Sequence, residues 1–126
     1  MIAEIALATA LLSQAPEAKP DNRYLDSGNA RVWRGVPPHA REVWFCIRRH
    51  ESIEAGHWTA ANPRSSASGA GQWLDSTWRS LAKWIPEARP YSRAKYAPPW
   101  VQDLVFVHVY NHHGLRMWHG TWCPGT

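Results

Sequence analysis

At 126 residues, 44% of them hydrophobic and 19% charged, the chain fits one globular domain able to bury a core, with no internal repeat or low-complexity run. Its net charge of +4 favours anionic partners, but the basic residues are scattered and no nucleic-acid-binding motif accompanies them, which sets that class aside. The apolar run within "MIAEIALATALLSQAPEAKP" spans roughly 12 residues, too short for an integral membrane span.

That first stretch resembles a secretion signal in its small residues before Ala15, but Glu4 and the missing Lys or Arg suit an amphipathic docking helix equally well. Residues 16–38, rich in Pro, Gly, Asn and Asp, read as a linker. The expected division is therefore an N-terminal segment over 1–38 and a domain over 39–126. A first helix is predicted from Pro37-Pro38, with Val43, Ile47 and His50 on one face, Trp44, Arg48 and Glu51 on the next, and Gly56 as its stop. "RRH" at 48–50 reads as a solvated helix face.

Residues 59–74 are expected to form a polar, small-residue loop or short ribbon containing Gly69-Ala70-Gly71. Asp75 or Ser76 is placed to cap a second helix over "TWRSLAKW", after which Pro86 and Pro90 break the chain. The longest helix is predicted from Pro98-Pro99 to Gly114, with Val101, Leu104, Val105, His108 and His112 at helical spacing. The tail then returns Cys123 toward the first helix. With no strand alternation of a large sheet, the expected fold is mainly α: a first helix bearing Glu51, a Gly-rich loop or ribbon, and a long C-terminal helix.

Nine tryptophans are the outlier of the composition. Their rings serve cores, but their flat apolar faces also suit the apolar faces of sugar rings. Glu51 lies between Trp44 and the pair Trp58 and Trp73 in sequence. Cleaving a glycosidic bond requires a proton delivered to the leaving oxygen, and a carboxyl does this near neutral pH only if its pKa is raised. Burial against tryptophan raises it. Glu54, Asp75 and Asp103 are the available second carboxylates. Asp75 is better explained as a cap, Asp103 as a first-turn acid favoured by the helix dipole, and Glu54 as a solvated helix end. Cys46 and Cys123, 77 positions apart, match no redox or zinc spacing and are either bridged or two buried thiols.

Glu51-Ser52, Trp58, Asn62-Pro63, "SASGAGQW" at 66–73 and "STW" at 76–78 resemble, in order, the lysozyme-like lytic transglycosylase superfamily. The likeness is to its actinobacterial transglycosylase-like and resuscitation-promoting-factor domains. "YAPPWVQD" at 96–103, the Tyr110 to Gly114 segment and the closing Trp118, Trp122 and Cys123 extend it to about residues 40–123. The resemblance implies that Glu51 is the acid/base and that Gly71 and Gln72 line the cleft. It implies substrate contacts from Trp58, Trp73, Thr77 and Tyr110, with Gln72 and Tyr110 flanking the acid, and a Cys46–Cys123 disulfide. In resuscitation-promoting factors the cysteine directly precedes the glutamate; here Cys46 stands five residues earlier, and the interval from Glu51 to Trp58 is longer than usual.

The implied function is cleavage of the peptidoglycan backbone between N-acetylmuramic acid and N-acetylglucosamine by one glutamate, with no cofactor. The protein would be a monomer, secreted or in the cell envelope, or virion-associated if phage-encoded. The alternative is a non-catalytic glycan-binding or structural module of an envelope or virion assembly. A metallohydrolase is disfavoured: "HESIEAGH" puts Glu54 where the zinc-binding HExxH pattern needs its second histidine. His108 and His112 do share a helix face, the spacing of two metal ligands, but His108 is assigned to helix packing.

Overall fold

The computed structural model describes residues 26–52 and 57–126. The expected signal or docking helix, Glu54 and the Gly56 stop lie outside them. Among the described residues there are four helices: α1 Ala30–Trp33, α2 Pro38–Glu51, α3 Asp75–Ala82 and α4 Pro99–His112. Short 3-10 turns at His57–Thr59, Pro86–Ala88, Ala94–Tyr96 and Arg116–Thr121 join or follow them. The fold is mainly α, as expected. Its β content among the described residues is two isolated antiparallel bridges, Ala61 with Ser68 and Ser68 with Trp73, which form the short ribbon.

Proline starts both long helices, at the position where a missing N–H costs nothing. Helix α3, the second one predicted, begins differently from expectation. Leu74 is its N-cap, with no side-chain bond, and Asp75 occupies the first helical position. There its amide donates to Ser66 Oγ (3.0 Å) and its carboxylate accepts from Arg93 Nε (3.0 Å). Asp75 therefore ties the ribbon to the segment before α4 while its charge suits the positive end of the helix.

Helix α4 is the axle of the domain. Val101, Gln102, Asp103, Val105, Phe106, Val107 and Val109 are all buried, so it is covered nearly all round and shows no single apolar stripe. This departs from the predicted face: Leu104 and His108 are half-buried and His112 is exposed. Asp103 is likewise no surface acid. It accepts from Trp44 Nε1 (2.7 Å) and from the backbone N–H of Ser27 (2.8 Å), and burial pushes its carboxyl up despite both bonds.

That bond to Ser27 belongs to a wider contact. Val32 and Trp33 of α1 are buried, and Trp33 packs on Phe106 of α4 with ring centres 6.3 Å apart. Residues expected in a linker thus form part of the packed unit, and the boundary at 38/39 falls inside it. Their apolar side chains outweigh the turn-forming residues around them.

Five tryptophans build the core: Trp33, Trp44, Trp73, Trp78 and Trp118 are at most 6% exposed. Trp44 lies at its centre, stacked on Phe106 at 4.6 Å and tilted against Trp73 at 5.4 Å. Such contacts add roughly 0.5–1.5 kcal/mol per pair beyond the area buried. Helices α2 and α4 run antiparallel: His39 meets Tyr110 at one end, and Trp44 meets Phe106 and Asp103 further along.

Cys46 of α2 and Cys123 of the tail form the disulfide, closing a separation of 77 residues, and no cysteine among the described residues is free. Thiol titration of the oxidised, denatured protein should find no free thiol, and two after reduction. In the chain-entropy description a loop of this size contributes up to about 4.5 kcal/mol. Urea unfolding of the reduced protein should therefore show a clear loss of stability, and identical midpoints would refute a structural role for the bridge.

Candidate active site

Glu51 is the last residue of α2, and the chain turns immediately after it. Ser52 makes the turn. Its backbone N–H donates to the Arg48 carbonyl (3.1 Å), and its hydroxyl donates to the Ala70 carbonyl (2.8 Å) while lying 3.1 Å from that of Arg48. The carboxyl-bearing residue is thus one position away from a direct tie to the Gly69-Ala70-Gly71 loop. Glu51 itself is half-buried, and loss of solvent pushes its carboxyl above the ordinary value.

The loop is held from below by Gln102 of α4, whose side chain is fully buried. Its Oε1 accepts from Ala70 N–H (2.8 Å), while its Nε2 donates to the carbonyls of Trp58 (2.8 Å) and Ala97 (3.0 Å). One amide therefore fixes the Gly-rich loop, the segment after α2 and the entry to α4. Gly69 is required there. Its φ is +75°, and a Cβ would stand 2.7 Å from Gln102 Oε1 and 3.0 Å from Ala94 Cβ.

At Gly71 the constraint comes from the core beneath the loop. A Cβ on it would meet the rings of Trp44 and Trp73 at 3.0 Å, and its carbonyl accepts from Trp118 Nε1 (2.7 Å). Its bareness lets the loop lie on the tryptophan core. Gln72 follows in a left-handed conformation (φ 52°), with its side-chain amide donating to the Gly69 carbonyl (3.0 Å). That bond supports the turn and leaves the amide oxygen as the group available to a ligand.

Beside the helix end, the Arg48 guanidinium lies over the rings of Trp58 (5.1 Å) and Trp44 (5.5 Å), with Nη1 3.2 Å from His57 Nε2. Arg48 is only 2% exposed, which corrects its reading as part of a solvated face. Burial pulls its pKa down to about 10, against the pull of the Asp103 and Asp26 carboxylates. It remains a cation at neutral pH.

Of the residues expected around the acid, Trp58 lies under the Arg48 guanidinium, and Gly71 and Gln72 follow Ala70, which bonds to Ser52 beside Glu51. Trp73 does not offer a face to a substrate. It is 2% exposed, packed between Trp44, Trp78 and Trp118. Tyr110 does not flank Glu51 either. Its hydroxyl is 2.7 Å from His39 Nε2, at the start of α2. His39 and Glu51 are twelve residues apart along that helix, about 18 Å at 1.5 Å per residue. The antiparallel pairing of α2 with α4 puts the late residues of α4 at the wrong end. Thr77 is half-buried and lines a shallow groove with Ser76, Ser80, Leu81, His113 and Met117, a lining that does not include Glu51.

Among the described residues, Cys46, His50 and Cys123 bring their ligand atoms within 4.8 Å of one another, but both sulfurs are consumed by the disulfide. The parts that sequence reasoning missed are Gln102, the bonds made by Ser52 and the buried Arg48. The polar pair Gln102-Asp103 inside an otherwise apolar helix start was the available signal, since buried polar groups are kept where they tie segments together.

The chain is similar to two curated proteins named for transglycosylases. It is 43% identical over 72 residues to "Probable transglycosylase SceD" of Staphylococcus haemolyticus, a match over 57% of this chain and 28% of that protein. It is 37% identical over 84 residues to "Probable transglycosylase SceD 2" of Staphylococcus saprophyticus, over 67% of this chain and 30% of the relative. The chain thus spans less than a third of either relative. Both relatives are staphylococcal, so an actinobacterial or phage origin gains no support. No protein-family model and no solved structure matches the chain.

Replacing Gln102 by Leu keeps its bulk but leaves Ala70 N–H and the Trp58 and Ala97 carbonyls without this partner. Urea unfolding should show a loss of about 3 kcal/mol, the scale of a few orphaned buried groups. Wild-type stability would mean that the clasp is dispensable.

Proposed function

We propose that this chain is a lysozyme-like module that cleaves the glycan backbone of peptidoglycan, with Glu51 as its single acid/base. The observation that carries this reading is the raised carboxyl of Glu51 at a helix end, one residue from the serine that ties that end to the Gly-rich loop. The ordered motifs around it and the two transglycosylase-named relatives support the same reading.

In the first step, protonated Glu51 gives its proton to the glycosidic oxygen between N-acetylmuramic acid and N-acetylglucosamine as the C1–O bond breaks. The departing sugar carries that proton away as a hydroxyl. The substrate's own N-acetyl group shields the electron-poor C1, the role a second carboxylate takes in two-carboxylate hydrolases. The Glu51 carboxylate then accepts the proton of the muramyl 6-hydroxyl as that oxygen bonds to C1. Glu51 is restored and the product ends in a 1,6-anhydro ring, with no water consumed. The half-buried position of Glu51 suits both halves, because a raised pKa favours the acid first and makes the carboxylate a better base afterwards.

Gln72, through its free amide oxygen, and Trp58, through its part-exposed ring, are the residues of this site placed to contact the sugar chain. The reaction needs no cofactor. An envelope or secreted location fits the disulfide, which persists in oxidising surroundings. No helix among the described residues is long and apolar enough to cross a membrane.

Purified cell walls digested by the protein should release fragments that mass analysis shows to be 1,6-anhydro-muramyl products. Glu51→Gln keeps the shape but cannot deliver a proton, so it should lower the rate by at least about 100-fold, the low end of a general acid's contribution, at unchanged fold. Because burial raises the Glu51 pKa, the wild-type rate should hold above the ordinary carboxylate range and fall as pH rises through the raised value. A variant that still digests walls at the wild-type rate would remove Glu51 from the chemistry. A wild-type protein that binds walls without cutting them would leave the non-catalytic module as the function.

A further inference from the structure

The C-terminal end of α4 carries a group of histidines that the glycan chemistry does not use. His108 and His112 stand one helical turn apart with ring centres separated by 4.7 Å, and the ring of His113, the C-cap residue, is centred 5.4 Å from that of His108. His112 and His113 are exposed and His108 is half-buried, so only His108 fills the packing role expected of it. The histidine ring hydrogen bonds among the described residues belong to His39, His57 and His119, which leaves these three rings without such a commitment. His108 and His112 also share a surface groove with Glu87, Asn111 and Trp84.

Two imidazoles at i and i+4 on a rigid helix are already on one face, so modest side-chain rotations suffice to aim one nitrogen of each at a common ion. Imidazole suits Zn2+, Cu2+ and Ni2+, whereas Mg2+ and Ca2+ prefer oxygen. The setting favours a cation as well: the last carbonyls of the helix carry its negative partial charge, and the Glu87 carboxylate belongs to the same groove.

We propose that His108 and His112, joined by His113, form a surface binding site for one divalent transition-metal ion of the Zn2+ or Cu2+ class. The antiparallel packing of α2 and α4 sets this site at the end of the domain opposite Glu51, so the ion takes no part in bond cleavage. Its effect is to fasten the last turn of α4 to the residue that caps it, with water completing the coordination.

Titration calorimetry of the metal-free chain with ZnCl2 should show one site per molecule. His112→Gln should weaken that site by at least about tenfold, a change of about 1.4 kcal/mol. His113→Gln should weaken it less, while His50→Gln, His119→Gln and Glu51→Gln leave it unchanged. With CuCl2, the electron spin resonance spectrum should show coupling to imidazole nitrogens that His112→Gln diminishes. His112 and His113 are exposed, so both variants are expected to fold, and circular dichroism verifies it. Absence of a one-to-one site in the wild type, or wild-type affinity in His112→Gln, would overturn the proposal.

Discussion

The buried amide of Gln102 holds together the parts on which the site depends. Three chain segments remote from one another in sequence end on it: the Gly-rich loop through Ala70, the turn after α2 through Trp58, and the approach to α4 through Ala97. A loop of small residues has little side-chain bulk to fix itself, and its backbone groups need partners once water is gone. Glutamine supplies both polarities from a single side chain, and a carboxylate or a hydrocarbon would leave at least one of those groups unsatisfied. Ser52 closes the arrangement from the other side by bonding the Ala70 carbonyl. Ala70 is therefore held at both its N–H and its carbonyl, between the axle of the fold and the helix that presents Glu51.

The tryptophan core explains how so small a domain supports this polar framework. Trp44, Trp73 and Trp118 pack with Phe106 under the loop, and each large ring fills volume with few torsions to freeze. Their N–H groups also serve as fasteners, Trp44 to Asp103 and Trp118 to the Gly71 carbonyl. Gly71 lies directly on these rings, so the core and the loop form one packed body. The disulfide adds a covalent constraint where α2 meets the tail.

Helix starts at Pro37-Pro38 and Pro98-Pro99 were legible because proline punctuates the chain locally. The end of α2 was read less well, since Gly56 was expected as its stop and the helix ends at Glu51, while the ordered motifs led to the loop and the disulfide. What failed depended on tertiary direction. Tyr110 was expected beside the acid, but the antiparallel register of α4 carries it to the start of α2. Trp73 was expected to meet a sugar, yet it packs inward against Trp44, Trp78 and Trp118. Asp103 and Arg48 looked like surface charges because helical spacing cannot separate a solvated face from a buried polar one. Val32 and Trp33 sat within a polar, turn-rich stretch, which concealed a helix that is buried by contact with α4.

The central claim is that the fold keeps the Glu51 carboxyl protonated beyond the range of a free glutamate, so that one group serves as acid and then as base. The direct measurement is an NMR titration of the side-chain carboxyl carbons in glutamate-labelled protein, with the Glu51 signal assigned by its loss in Glu51→Gln. The account predicts a midpoint above the ordinary glutamate value of about 4.3. A midpoint at or below that value would contradict it.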